Sequence, residues 1–315
     1  MNETRRTLLA AFEEGPITGP ELATRLDISR AAVWKQVEAL RDDGFTIEST
    51  DAGYEVTGVP EYGAAAIEFG LEAPYTVEYH DSLGSTNDRA RKVAKSGAVD
   101  VAVVADEQTG SRGRLKRAWT APSGGVWCSV VLQPDLPAAH VPLSALASGV
   151  ATVVACREAG VDAHLKWPND VLVGDEGERG GQKLAGILTE MEGEADRVSW
   201  LIIGIGVNAN IDAAELPEGA TSLRELTGDI DRRLFVQRLL ESLHEQLSNP
   251  DTVLDQWREY SSTLGSEVRI ETSTGVVEGR AVDVQFPGAL VVETDTGEEV
   301  VHAGDCEHLR PAETS

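Results

Sequence analysis

The sequence predicts an α+β protein in three parts: an N-terminal winged helix-turn-helix, a central mixed sheet with helices packed on it, and a small SH3-like β-barrel at the C-terminus. Three observations predict it. Helix caps and stops punctuate residues 4–58, strand-like apolar runs alternate with helical segments from Tyr75, and from Gly265 onward short strands are separated by turn dipeptides. The corresponding boundaries are residues 1–60, a linker at 61–74, a central domain at 75–263 and a last domain at 264–315.

In the first part a helix from Arg5 to Glu14 stops at Gly15-Pro16, and a second begins with Pro20 in its first turn, where the missing N–H costs nothing. Ser29 caps a third helix, Arg30 to Asp43, whose Val33, Val37 and Leu40 form one apolar stripe and which ends at Gly44. Its other face carries Arg30, Trp34, Lys35 and Arg41, the residues expected to meet DNA. Residues 45–48 and 54–57 read as strands joined through Asp51-Ala52-Gly53. Residues 1–60 hold six basic and eleven acidic side chains, which opposes the phosphate attraction on which most DNA affinity rests, so a docking module that never touches DNA stays open as an alternative.

The central part mixes strand-like runs (Val101 to Ala105, Val126 to Leu132, Trp200 to Ile205) with helical segments such as Leu143 to Ala159 and Leu234 to Leu247. The last part has strands near 267–271, 276–285, 289–293 and 299–301, broken at Thr274-Gly275, Pro287-Gly288 and Thr296-Gly297.

With 315 residues, 41% of them hydrophobic, the chain has material for a sizeable core. No apolar signal core opens it and no stretch is expected to span a membrane, so a cytoplasmic protein is expected. Cys128, Cys156 and Cys306 are far apart and read as small buried hydrophobes, not as a zinc site or a disulfide framework. The net charge of −26 comes from 53 acidic residues against 27 basic ones, of which six are lysine. Such a surface suits concentrated salt, where the Debye length falls to ~3 Å at 1 M and self-repulsion is screened, although an acidic protein of an ordinary cytosol has the same composition.

Against that background the window from Arg89 to Trp119 holds eight basic residues and three acidic ones. Its sharpest part runs Gln108-Thr109-Gly110-Ser111-Arg112-Gly113-Arg114-Leu115-Lys116-Arg117-Ala118-Trp119. Glycines between arginines let backbone approach a ligand while guanidinium groups reach phosphate or carboxylate oxygens in bidentate fashion. Alone, this loop is equally a solvated basic loop or an RNA-binding segment. Lys166-Trp167-Pro168-Asn169-Asp170 follows, with a polar pair suited to an adenine contact and a Mg²⁺ ligand, and then Lys183-Leu184-Ala185-Gly186-Ile187-Leu188, a lysine at the mouth of a buried strand.

Ser85-Thr86-Asn87, the Arg-Gly-Arg loop with Gln108 ahead of it, the Lys166–Asp170 and Lys183–Leu188 motifs and Gly204-Ile205-Gly206-Val207-Asn208 stand in the order of the biotin protein ligases. With the winged-helix start and β-barrel end, essentially the whole chain resembles the bifunctional biotin protein ligase and biotin-operon repressor family. The resemblance implies an ATP- and Mg²⁺-dependent ligase that adenylates biotin and passes it to a lysine of a biotin carboxyl carrier protein domain, with operator DNA and a homodimer as further expectations.

The resemblance also implies that Ser85, Thr86, Asn87 and Gln108 line the biotin pocket, that Arg112, Gly113 and Arg114 close on biotin and the adenylate, and that Lys183 meets the reacting carboxylate and α-phosphate. Trp119, Asn169 and Asn208 are expected around the adenine, Arg114, Arg117 and Lys166 around the ATP, and Asp170 at the metal. The family usually has glycine where this chain has Ser111, which bears on how well the loop retains the intermediate. Two other readings are a lipoate-type ligase, with the same two-step chemistry, and a biotin-sensing regulator without catalysis. The Lys166–Asp170 motif with the Ser111–Arg114 loop favours biotin, and the intact Lys183 and arginines favour catalysis.

Overall fold

The computed structural model describes residues 3–174 and 180–309, so the last residues of the expected C-terminal domain, 310–315, lie outside the described residues. The N-terminal unit has helices α1 (Glu3–Glu13), α2 (Gly19–Arg25) and α3 (Arg30–Asp42), then a hairpin of β1 (Thr46–Thr50) and β2 (Gly53–Gly58). Thr18 caps α2 in a reciprocal box with Glu21, and Ser29 caps α3 by accepting from Ala32 N at 3.2 Å. Val33, Val37 and Leu40 of α3 bury the predicted stripe against Leu8, Leu9, Phe12, Leu22, Phe45 and Ile47. Gly53 takes φ 124°, and a Cβ there would stand 2.3 Å from the Ile17 carbonyl, so glycine at this position is what lets Ile17 of the α1–α2 connection pair with Tyr54 of the hairpin.

On α3, Arg30, Trp34 and Lys35 are exposed. Arg41 is differently placed: Nε and Nη2 donate to Ile47 O at 3.2 and 2.6 Å and Nη1 to Glu38 at 2.6 Å, so its donors join the helix to the hairpin.

The central unit runs α4 (Ala64–Glu68), β3 (Thr76–Leu83), α5 (Thr86–Lys95), β4 (Val101–Gln108), β5 (Val126–Leu132), α6 (Val141–Glu158), β6 (Ala163–Lys166), β7 (Asp170–Val173), β8 (Gln182–Gly193), β9 (Val198–Val207), α7 (Leu223–Thr227), α8 (Arg232–Ser248) and α9 (Pro250–Tyr260). Seven strands form one sheet, ordered β3-β4-β5-β9-β8-β7-β6, with β3 and β4 parallel and the other neighbours antiparallel. Side chains alternate across it as the pleat requires. Ala102, Val104, Cys128, Val130, Leu201, Ile203 and Ile205 face the main core with α6 and α8, while Val103, Val131 and Ile202 face α5.

The expectation that no stretch is apolar enough to span a membrane is corrected here. The helical stretch Ala138–Glu158 reaches a mean hydropathy of 1.6 over a span-length window, but 67% of that window is buried inside the protein. It is apolar on nearly every side because α8 and α9 pack on it from one direction and the sheet from another.

The C-terminal unit is a five-stranded antiparallel sheet of β10 (Glu267–Thr272), β11 (Gly275–Gln285), β12 (Ala289–Thr294), β13 (Gly297–Val301) and β14 (Asp305–His308), ordered β13-β12-β11-β10-β14. It is fastened to the central unit at Trp167, whose Nε1 donates to Gly288 O at 3.0 Å and whose N donates to Thr263 Oγ1 at 2.9 Å. All three cysteines are free and buried, as expected.

Candidate active site

Helix α5 covers part of one sheet face and leaves the rest open. There β8 and β9 present Gly186, Gly204 and Gly206, so glycines floor a cleft of about 910 Å³, with Ser129 of β5 buried beneath it. Its walls bring together every residue expected at the ligand site: Ser85, Thr86, Asn87, Gln108, Arg112, Gly113, Arg114, Arg117, Trp119, Lys166, Asn169, Asp170, Lys183 and Asn208.

One end of the cleft is neutral and polar. It is built at the N-terminus of α5, where Ser85 caps the helix and Thr86 and Asn87 begin it. Gln108 Oε1 accepts from Thr86 N at 2.7 Å and Thr86 Oγ1 at 3.0 Å. Ser129 Oγ lies 2.7 Å from Thr86 Oγ1 and donates to Asn87 Oδ1 at 2.6 Å, which fixes the amide so that its Nδ2 donates to Glu190 Oε2 at 3.0 Å. A Cβ on Gly204 would stand 2.2 Å from Asn87 Oδ1, so glycine is what lets Asn87 lie against the strand.

The loop between β4 and β5 folds back on itself over the cleft. Ser111 Oγ donates to Trp119 O at 2.6 Å, Arg112 bridges to Ala118, and Gly113 N donates to Arg117 O at 2.8 Å. Ser111 thus ties the base of the loop. Trp119 then lies on the paired glycines Gly186 and Gly206, where an added Cβ would stand 3.1 or 3.3 Å from the indole, with Lys183 Nζ 5.1 Å from its ring centroid.

The other end is charged. Lys183 Nζ sits 2.7 Å from Asp170 Oδ1. Arg114 Nη1 donates to Asn169 Oδ1 at 3.0 Å and Nη2 to Gly304 O at 2.8 Å, and burial pulls its guanidinium below the usual arginine value against the pull of Asp305 and Asp170. Arg117 pairs with Asp305. Asn208 Nδ2 donates to Thr221 O at 2.9 Å, which fastens the end of β9 to the segment before α7. Among the described residues no three His, Cys, Asp or Glu side chains cluster as a metal cage. The carboxylates that line the cleft are Asp170, Glu218, Asp305 and Glu307, and of these Asp170 is the one paired with Lys183.

The two loop arginines therefore serve different ends. Arg114 joins the Asp170–Lys183 group, whereas Arg112 is bidentate on Asp88, with Nη2 to Oδ1 at 2.6 Å and Nη1 to Oδ2 at 3.1 Å. The hydrogen bonds from Arg112 hold the Asp88 carboxyl below its ordinary range. Sequence reasoning missed Asp88, Ser129, Glu190, Gly304 and Asp305. Ser129, a hydroxyl inside the apolar run Val126–Leu132, is the one that carried a readable signal.

Residues 82–208 match the biotin/lipoate A/B protein ligase family, residues 4–55 a helix-turn-helix (HTH) domain and residues 263–309 the biotin protein ligase C terminal domain. The bifunctional ligase/repressor BirA of Bacillus subtilis is 35% identical over 96% of this chain and 98% of its own length. The biotin–[acetyl-CoA-carboxylase] ligase of Mycobacterium tuberculosis is 36% identical over 72% of this chain and 86% of its own. The biotin protein ligase of Aquifex aeolicus, solved in complex with biotin and ATP, superposes with a TM-score of 0.64 at 27% identity over 74% of this chain and 99% of that one. With a winged helix, a ligase-type cleft and a C-terminal sheet all matched in order, the chain belongs to the biotin protein ligases of the biotin/lipoate A/B protein ligase family.

Proposed function

We propose that this protein is an ATP-dependent biotin protein ligase that forms biotinyl-5′-AMP and transfers biotin to a lysine of a biotin carboxyl carrier protein domain. The observation that carries the reading is the polarity of the cleft: neutral hydrogen-bonding groups (Thr86, Asn87, Gln108) at one end, suited to a ureido ring, and Lys183, Arg114, Asn169 and Asp170 at the other, suited to a nucleotide.

In the first step a biotin carboxylate oxygen attacks the α-phosphorus of ATP and pyrophosphate leaves. Negative charge gathers there, and Lys183 with Arg114 offsets it from positions already fixed by Asp170, Asn169 and Gly304. Mg²⁺ brought in by the triphosphate would be held by Asp170 together with phosphate oxygens and would neutralise part of that charge. The carrier amine then attacks the anhydride carbonyl and AMP leaves, with the loop at 111–119 keeping water out. No enzyme nucleophile is needed for either step, and the thiol that lines the cleft, Cys306, is pushed by burial up to about 12.

The reading extends to a cytoplasmic protein, divided at residues 60, 74 and 263, that pairs with a second copy through the sheet. It also extends to operator DNA, supported by Arg30, Lys35 and a Trp34 that is 54% exposed on α3. The decisive test is incubation with ATP, Mg²⁺, labelled biotin and a carrier domain, at low and molar salt. Labelled carrier is expected, and its absence at both salts would refute the ligase reading. Competition with lipoate distinguishes the acid, and duplex DNA binding that fails at every salt concentration would remove the operator.

A further inference from the structure

Five side chains form an alternating chain from the loop to the floor of the cleft. Arg112 is bidentate on Asp88, and Asp88 Oδ1 also accepts from Arg91 Nη1 at 2.9 Å. Arg91 Nη2 donates to Glu190 Oε1 at 2.7 Å, and Glu190 Oε2 accepts from Asn87 Nδ2 at 3.0 Å. Asp88 stands in the first turn of α5, where its N–H donates to the Ser85 cap at 3.4 Å and the helix dipole favours its charge.

The ties at the base of the loop, Ser111 to Trp119 and Gly113 to Arg117, join the loop only to itself. The Arg112–Asp88 pair joins it to the helix that presents Ser85, Thr86 and Asn87. Its tip is correspondingly exposed: Leu115 is 76% accessible and takes the left-handed φ of 54°.

We infer that Asp88 is a positioning residue that latches the loop at 111–119 over the Asn87 end of the cleft, with Arg91 and Glu190 carrying the same link to the Asn87 amide. The latch ties loop closure to the orientation of the group that would read the acid's ring, and in that respect it rests on the proposed function.

The test uses the full chain with Asp88→Asn, Arg112→Gln and the double variant. Thermolysin cleavage at the exposed Leu115 is measured without ligand, and biotin affinity is measured by calorimetry. A partly exposed pair of this kind holds its partners by a modest factor, so Asp88→Asn and Arg112→Gln are each expected to speed cleavage roughly two- to fivefold and weaken biotin by a similar factor. The double variant should do no more than the larger single one, because both remove one interaction. Wild-type cleavage in Asp88→Asn would overturn the latch. So would multiplied effects in the double variant, since Asp88 would then act through α5 and not through Arg112. If wild-type protein binds no biotin, the ligase reading fails while the cleavage series still decides the latch.

Discussion

Lys183 and Asp170 meet as an ion pair, Nζ to Oδ1 at 2.7 Å, between the start of β8 and the first residue of β7. The lysine charge is therefore fixed in the cleft by the sheet itself. Loss of such a preorganised contact typically costs about 10² to 10³ in rate. Lys183→Ala is expected to lower pyrophosphate release by that factor with little change in thermal midpoint, and wild-type release would contradict its role.

The two loop arginines should separate in kinetics. Arg114→Ala removes bonds to Asn169 and Gly304 and is expected to lower both the adenylation rate and the thermal midpoint. Arg112→Ala should leave folding intact and reduce adenylation, showing mainly as a raised KM for biotin. Steady-state kinetics with calorimetric melting of both variants checks the contrast.

Gly204→Ala should be severe for its size. Its methyl would stand 2.2 Å from Asn87 Oδ1, so Asn87 must leave Ser129 and Glu190. One buried and one partly buried hydrogen bond at about 1 kcal/mol each give a loss of roughly 10- to 100-fold in biotin affinity. A dissociation constant within a factor of two of wild type would show that Asn87 is not held as described.

Burial, then the charges of Lys166 and His164, push the His308 imidazole down to about 4 from its ordinary 6.5. The unfolded chain therefore takes up this proton first. Stability is whole above pH 6.5 and is lost as pH falls toward 4, by on the order of 3 kcal/mol. Melting across pH 4–7 should show that slope, and His308→Gln should flatten it.

A net charge of −26 on 315 residues predicts a thermal midpoint that rises between dilute and molar KCl as self-repulsion is screened. A midpoint independent of salt would rule out a surface adapted to salt.

Local chemistry made much of the molecule legible in the sequence. Ser29 and Gly44 bracket α3, and the residues of the glycine-rich motifs all reach one cleft. What stayed hidden depends on distant partners. Asp88 meets Arg112 from 24 residues away, Glu190 meets Asn87 from 103, and Gly304 meets Arg114 from 190. The basic window also suggested that Arg112 and Arg114 act at one point. They diverge because Gly113 is extended and Arg114 opens a 3₁₀ turn toward the C-terminal sheet. The apolar stretch Ala138–Glu158 was underestimated because its composition, unlike its packing, does suit a bilayer.

The anchoring of Arg114 on Gly304 and Arg117 on Asp305 orders events during synthesis. The loop leaves the ribosome about 190 residues before the segment that holds it. A nascent chain released early would carry the motif lysine, both loop arginines and the floor glycines, yet its loop would lack both outer anchors. In such a copy Arg114 keeps Asn169 as its partner but not Gly304, and Arg117 has no Asp305 carboxylate to meet.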